Sequence, residues 1–439
     1  MKYLSSSMFF NFDVRILVIL CALVLPNHLW GKRITKALPA VINTTINLHG
    51  DTLYLQKGVT IRFQGGKIIN GTVVFNENKL VEPSFEDVRF LGVVADSYFN
   101  IKDYGAKSDM KRDCSVIFND IIKLKTSPKS NNNPKHIYVP KGIYYIDKPI
   151  ELFAGWNSPV TLYGEGRMSI ICQRTDNQVV VKFFEQNHIK NLMLTYKNKQ
   201  TAFHTKSVAV ACQRAIYSIF ENLIISKAYS AFGYISVDKQ KNEYNPTGYK
   251  EQCYVSCNFR NIRIYETSGY AFNLKKEFPQ GDSGSVYDNI YINSNDMNGK
   301  SPNNVSQGAI RFDNTVASFT QLNIEGSNYK NPLIILEGMS RVSVSSLHLE
   351  GIKDVPPISE VKIQSVASFD IIDIQLCDFT KKFNNAFIIR NSGLVNVNVL
   401  TLRQDCKCLV STSQLCLTNN RSKFKIGLLL DPIYLFQKL

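Results

Sequence analysis

The sequence predicts an all-β fold, a right-handed parallel β-helix with a small N-terminal β module and one short capping helix. Two observations predict it. A six-residue unit recurs along the chain, and each copy alternates apolar and polar residues with period two. The units open at Phe220, Phe259, Tyr287, Phe319, Val344 and Phe369, spaced 39, 28, 32, 25 and 25 residues. A variable period of this size marks a solenoid whose loops differ in length. Alternation and richness in Asn, Gly and β-branched residues exclude helical repeats. Parallel strands joined by crossovers take the right hand.

Alternation assigns the faces. Leu192/Leu194, Leu223/Ile225, Ile262/Ile264, Ile290/Ile292, Leu322/Ile324, Leu347/Leu349 and Ile372/Ile374 point inward and stack into one apolar core. Two outward columns follow. One reads Met193, Ile224, Arg263, Tyr291, Asn323, His348, Asp373, and the other Thr195, Ser226, Tyr265, Asn293, Glu325, Glu350, Gln375.

Residues 32–95 hold short β runs separated by Gly and Asn turns and form the N-terminal module. Residues 96–439 form the β-helix domain, closed by a C-terminal cap that includes the apolar runs Ile426–Leu430 and Ile433–Phe436. In residues 115–124, Val116, Ile117, Ile121 and Leu124 share one face of a short helix.

Residues 1–31 read as a secretory signal. Lys2 and Arg15 precede the ten-residue apolar run Ile16–Leu25, too short to span a membrane. A soluble product, secreted, periplasmic or at the cell surface, is expected, with no membrane span. The chain carries a formal charge of +15; losing Lys2, Arg15 and Asp13 with the signal leaves +14. A basic exported protein points to an anionic partner, here an acidic polysaccharide and not nucleic acid. Nine cysteines remain without Cys21, and an odd count argues against a complete disulfide framework. The close groups Cys253/Cys257 and Cys406/Cys408/Cys416 lack nearby histidines, so no metal site is expected.

The order Asn-x-Lys-Asp-Tyr-Gly-Ala-Lys-x-Asp (100–109), amphipathic helix, Tyr-Val-Pro-Lys-Gly-x-Tyr-x-Ile (138–146) and Gly-Glu-Gly-Arg-x-Ser-Ile-Ile (164–171) resembles the entrance of the pectate-lyase-like superfamily. The resemblance is to the rhamnogalacturonase/epimerase-like pectate lyase domain. Lys111-Arg112-Asp113-Cys114 stand where that family often has paired acidic residues. These motifs are structural and open the β-helix. The resemblance implies a carbohydrate-active protein, and the trimeric tailspikes in that superfamily leave a homotrimer or a monomer open.

Three functions fit the outward columns. In the first, Glu325, Glu350 and Asp373 form a glycosidase acid/base set, with His348 relaying or tuning protons. Neighbouring rungs lie about 4.8 Å apart, which puts Glu325 about 5 Å from Glu350 and Glu350 about 8 Å from Asp373. Arg263, Tyr265, Tyr291, Asn293, Asn323 and Gln375 would bind sugar through stacking and hydroxyl contacts. In the second, a lyase removes the C5 proton of a uronate, with Arg263, Tyr265 and Tyr291 as candidates. Ca²⁺ would assist, as the resemblance implies, although no compact Asp cluster is present and no other cofactor is expected. In the third, the face binds glycan without catalysis, and the Glu residues merely end strands before Gly turns. The Gly-His-Gly and Arg-Ile-Lys motifs of polygalacturonases are absent.

Overall fold

The computed structural model describes residues 38–351, apart from 128–133, 153–158, 235–251, 277–281, 299–304, 327–328, 332 and 339, together with backbone strands at 33–34 and between 358 and 430. The expected signal (1–31) and Cys406 and Cys408 lie outside the described residues.

All described strand pairs are parallel. A long sheet stacks strands from Tyr98–Asn100 through His188–Tyr196, Ile219–Ser226, Asn258–Tyr265, Asp282–Asn293, Thr315–Glu325 and Arg341–Glu350 to Lys423–Leu430. A second, seven-stranded sheet runs from Ile150–Leu152 to Ile334–Glu337. From Ile150 to Glu350 each rung adds one strand to each sheet, which makes a parallel β-helix. The N-terminal strands also pair in parallel, and Val93 and Val94 pair with Lys125 and Thr126. One core runs from Ile42 to Leu349.

The inward pairs from Leu192/Leu194 to Leu347/Leu349 stack in register and are all buried. Beside them runs an aromatic stack: Phe220 to Phe259 at 4.8 Å, Phe259 to Tyr287 at 4.4 Å and Tyr287 to Phe319 at 4.5 Å between ring centroids. Such pairs add to area burial.

A corner separates this aromatic position from the inward pairs. Asn191, Asn222, Asn261 and Asn289 all take φ of 53° there, a left-handed conformation that Asn tolerates better than other non-Gly residues. Their side chains form a ladder. The Asn222 amide donates to Asn191 (2.8 Å), Asn261 to Asn222 (2.9 Å) and Asn289 to Asn261 (2.9 Å). The ladder re-aims each strand, so the residues after the corner face a different direction from those before it.

The rung at Ser368–Cys377 departs from the expected alignment. Leu347 pairs with Ile374 and Leu349 with Leu376, so the residues in register with the inward pair are Ile374 and Leu376 and not Ile372 and Ile374. A slip of two residues keeps every side chain on its own face, so alternation cannot detect it. The strand Lys423–Leu430 pairs in parallel with Leu394–Leu402. Residues 426–430 therefore extend the stack as one more strand, where a cap was expected; residues 431–439 lie outside the described residues.

The helix spans Ser115–Lys123, with Phe118, Ile121 and Ile122 buried. Val116 and Ile117 are only half-buried, so Phe118 anchors the face they were expected to share. Asp113 accepts from the Ser115 amide and hydroxyl at its start. Lys135 donates to the carbonyls of Ile121, Ile122 and Leu124 at its end, as unpaired C-terminal carbonyls require. Cys114, Cys172, Cys212 and Cys257 are buried free thiols, and Cys253 is buried as well. No helix among the described residues is long and apolar enough to cross a membrane.

Candidate functional site

The second half of each long strand, after the Asn corner, presents two outward residues. The register aligns Met193, Ile224, Arg263, Tyr291, Asn323 and His348 in one column, and Thr195, Ser226, Tyr265, Asn293, Glu325 and Glu350 in the next. Gly326 and Gly351 follow the two glutamates with φ of +101° and +69°. A Cβ on Gly326 would stand 2.3 Å from Ser294 Oγ, so this turn requires glycine.

Glu325, His348 and Glu350 meet on adjacent rungs. Their ligand atoms lie within 4.8 Å of one another. His348 Nε2 is 2.9 Å from Glu350 Oε2. The His348 side chain is 18% exposed and that of Glu350 48%, so the imidazole is packed and the carboxylate reaches solvent.

Glu325 is held from the other side. Tyr291 donates its hydroxyl to Oε2 at 2.6 Å, and Asn293 Nδ2 donates to the Tyr291 oxygen at 2.8 Å and to Oε2 at 3.4 Å. The Asn295 amide donates to Asn293 Oδ1 and so fixes which end of that side chain faces Glu325. Burial and the Glu325 carboxylate push the Tyr291 phenol well above its ordinary value. It stays protonated as a donor. Tyr265 sits beside it, with ring centroids 5.7 Å apart. Asn323 lies in register between Tyr291 and His348, and Arg263 stands exposed one rung before Tyr291.

Two expected members stand elsewhere. Asp373 pairs with Ser346, in the column of Gln321 before the outward pair, and so leaves the acid/base set. Gln375 pairs with His348, and Cys377 takes the position beside Glu350 that Gln375 was expected to fill. The two-residue slip of the strand Ser368–Cys377 causes both changes.

The Glu325–His348–Glu350 cluster offers two carboxylates and one imidazole. Ca²⁺ takes about six to eight oxygen ligands, and this donor set does not fit it. Mixed nitrogen and oxygen ligands suit transition metals better.

The same face holds a cleft of about 550 Å³ on earlier rungs. Tyr145, Cys172, Thr195 and Ser226 follow one column across its floor. Lys197, Lys227, Glu266 and Asp296 line it as well. The early outward members Met193, Ile224, Thr195 and Ser226 are small or apolar in the sequence, and residues that follow the strands of several rungs complete the lining.

A model of the rhamnogalacturonase A/epimerase, pectate-lyase-like family matches residues 98–334, more than half of the chain. The chain belongs to this family. The entrance motifs of this pectate-lyase-like protein now have a structural role. Glu165 accepts from the Tyr138 hydroxyl and from the Lys141 amide, and Ser169 Oγ donates to the Val139 carbonyl. A Cβ on Gly164 would stand 2.5 Å from that of Ser169, so the Gly-Glu-Gly motif packs rungs together. The match includes Tyr291, Asn293, Glu325 and the cleft, whereas His348 and Glu350 lie beyond it.

Solved structures resemble this pectate-lyase-like chain at low identity. The tailspike gp42 of Acinetobacter phage vb_AbaP_AS12 has a TM-score of 0.48 at 8% identity, covering 76% of this chain and 62% of the tailspike. The chain thus spans less than two thirds of that protein's length. The catalytic unit of a GH87 α-1,3-glucanase from Streptomyces thermodiastaticus has a TM-score of 0.41 at 11% identity, covering 76% of this chain and 68% of that one. The A-module of a mannuronan C-5 epimerase from Azotobacter vinelandii has a TM-score of 0.33 at 11% identity, covering 76% and 99%. No curated protein matches the chain.

Proposed function

We propose that the chain is an exported carbohydrate-active β-helix that hydrolyses a polysaccharide at Glu325 and Glu350. The observation that carries this reading is the approach of the two carboxylates, on neighbouring rungs, within 4.8 Å. Retaining glycosidases hold their carboxyl pair about 5–5.5 Å apart, and inverting ones hold it farther apart.

The surroundings of the two acids divide their roles. Two donors aim at Oε2 of Glu325 and fix the position of its carboxylate, which suits a nucleophile. Glu350 is more exposed and shares a proton path with His348, which suits an acid/base. In the first step a Glu325 oxygen bonds to the anomeric carbon as the glycosidic C–O bond breaks, and Glu350 gives its proton to the leaving oxygen. In the second, Glu350 takes a proton from water, and the water oxygen displaces Glu325. Tyr291 and Tyr265 offer ring faces for sugars, and Asn323 an amide for hydroxyls. β-Elimination with Tyr291 as base fits less well, because burial and the bond to Glu325 hold its phenol protonated.

The test incubates the mature protein with acidic and neutral polysaccharides. New reducing ends without unsaturated-uronate absorbance are expected, and Glu350→Gln should abolish them while glycan retention persists. Unsaturated product would turn the reading to a lyase. Retention without either product would turn it to binding alone.

A further inference from the structure

The face that carries Glu325 and Glu350 runs on, without a break in register, into the cleft floored by Tyr145, Cys172, Thr195 and Ser226. From Thr195 to Glu325 there are four rung steps, roughly 19 Å. That is the length of several sugar units.

We infer that this cleft is a remote subsite for an anionic sugar, whose carboxylate or sulfate is held by Lys197 and Lys227; the inference rests on the reading that this face takes a glycan. Three observations support it. The cleft is a concavity on an otherwise open strand face, with a volume of about 550 Å³, within the range of ligand pockets. Its floor combines the apolar side chains of Ile143, Ile170 and Met193 with the hydroxyls of Thr195 and Ser226, which lie 2.8 Å apart. Such a floor suits a pyranose, with its apolar ring face and polar rim.

The charge balance decides the class of sugar. Glu266 is matched by Lys199, whose almost buried ammonium lies 3.7 Å from the carboxylate. Asp296 is the other acid in the lining. Among the described residues neither Lys197 nor Lys227 lies in an ion pair, although both face the cleft. Two adjacent lysines left without a carboxylate partner are suited to an anion carried by the ligand.

The test is affinity electrophoresis of the mature protein through native gels containing polygalacturonate, alginate, chondroitin sulfate or carboxyl-reduced polygalacturonate. The wild type should be retarded by at least one anionic polymer and not by the reduced one; the polymers distinguish carboxylate from sulfate. Lys197→Gln with Lys227→Gln should weaken that retardation at least about tenfold, and the paired Arg substitutions should restore it. A control pair, Lys79→Gln with Lys123→Gln, removes the same charge from exposed positions off this face and should change little. Retardation by no anionic polymer, equal retardation by the reduced polymer, or equal loss in the control pair would overturn the inference. Failure of the hydrolase reading looks different: the gels would be unchanged, but no reducing ends would form.

Discussion

Tyr291 donates its hydroxyl to Oε2 of Glu325 across 2.6 Å, from the strand one rung earlier. This bond links the aromatic part of the outward face to its carboxylates. It also holds the acid in place from the side opposite His348.

Tyr291→Phe keeps the ring and removes the donor. A hydrogen bond to a charged group contributes about 1.5–3 kcal/mol, so kcat should fall about 10- to 100-fold with KM little changed. Steady-state kinetics on whichever polysaccharide yields reducing ends in that screen would check it. An unchanged kcat would remove Tyr291 from the site.

Asn222 sits in the middle of the ladder, donating to Asn191 and accepting from Asn261 at φ of 53°. Asn222→Ala loses both bonds and places a Cβ residue without polar compensation in a left-handed corner. A loss of about 2–4 kcal/mol is expected from urea denaturation. Asn222→Gly keeps the backbone freedom and should lose less. Equal losses for the two variants would assign the whole effect to the hydrogen bonds.

Lys135 is buried beneath the helix end, and burial pushes its ammonium down to about 7 from an ordinary 10.5. Between those values the unfolded chain binds the proton that the native state releases, so its contribution to stability rises with pH. That contribution is complete above 10.5 and is lost as pH falls through about 7. Lys135→Met leaves three carbonyls without a donor and should destabilise by about 2–4 kcal/mol. The gap between wild type and variant should widen from pH 7 to pH 10. Denaturant midpoints across that range would show it, and a constant gap would contradict the assignment.

Glu86 bonds to Lys107 at 2.6 Å and Lys67 at 2.8 Å, and these bonds hold its carboxyl down to about 2. The resulting stability is present above the ordinary 4.5 and disappears as pH falls toward 2. Melting curves of Glu86→Gln should therefore converge on the wild type in acid and lie below it at neutral pH. The difference should shrink in high salt, because these groups are partly exposed.

The alternation in Leu192/Leu194 through Leu347/Leu349 was enough to place the core, because a period of two leaves one choice of face. It also placed Glu325 beside Glu350 and His348 in the adjoining column, since their rungs carry the same local pattern. The family-like entrance was legible for a similar reason: Gly164 and Ser169 are required by contacts between neighbouring turns. Register at the rung Ser368–Cys377 was not legible. Phe369 and Ile371 both suit an inward position, and only backbone pairing chose Ile371 as the partner of Val344, which moved Asp373 out of the set. The bond from Tyr291 to Glu325, the clasp of Lys135 on the helix end and the lysine cleft are likewise tertiary facts. Each joins residues from different rungs or elements. Local periodicity tells which way a side chain points, but which neighbours it meets depends on loop length and strand register, and these emerge only when the turns stack.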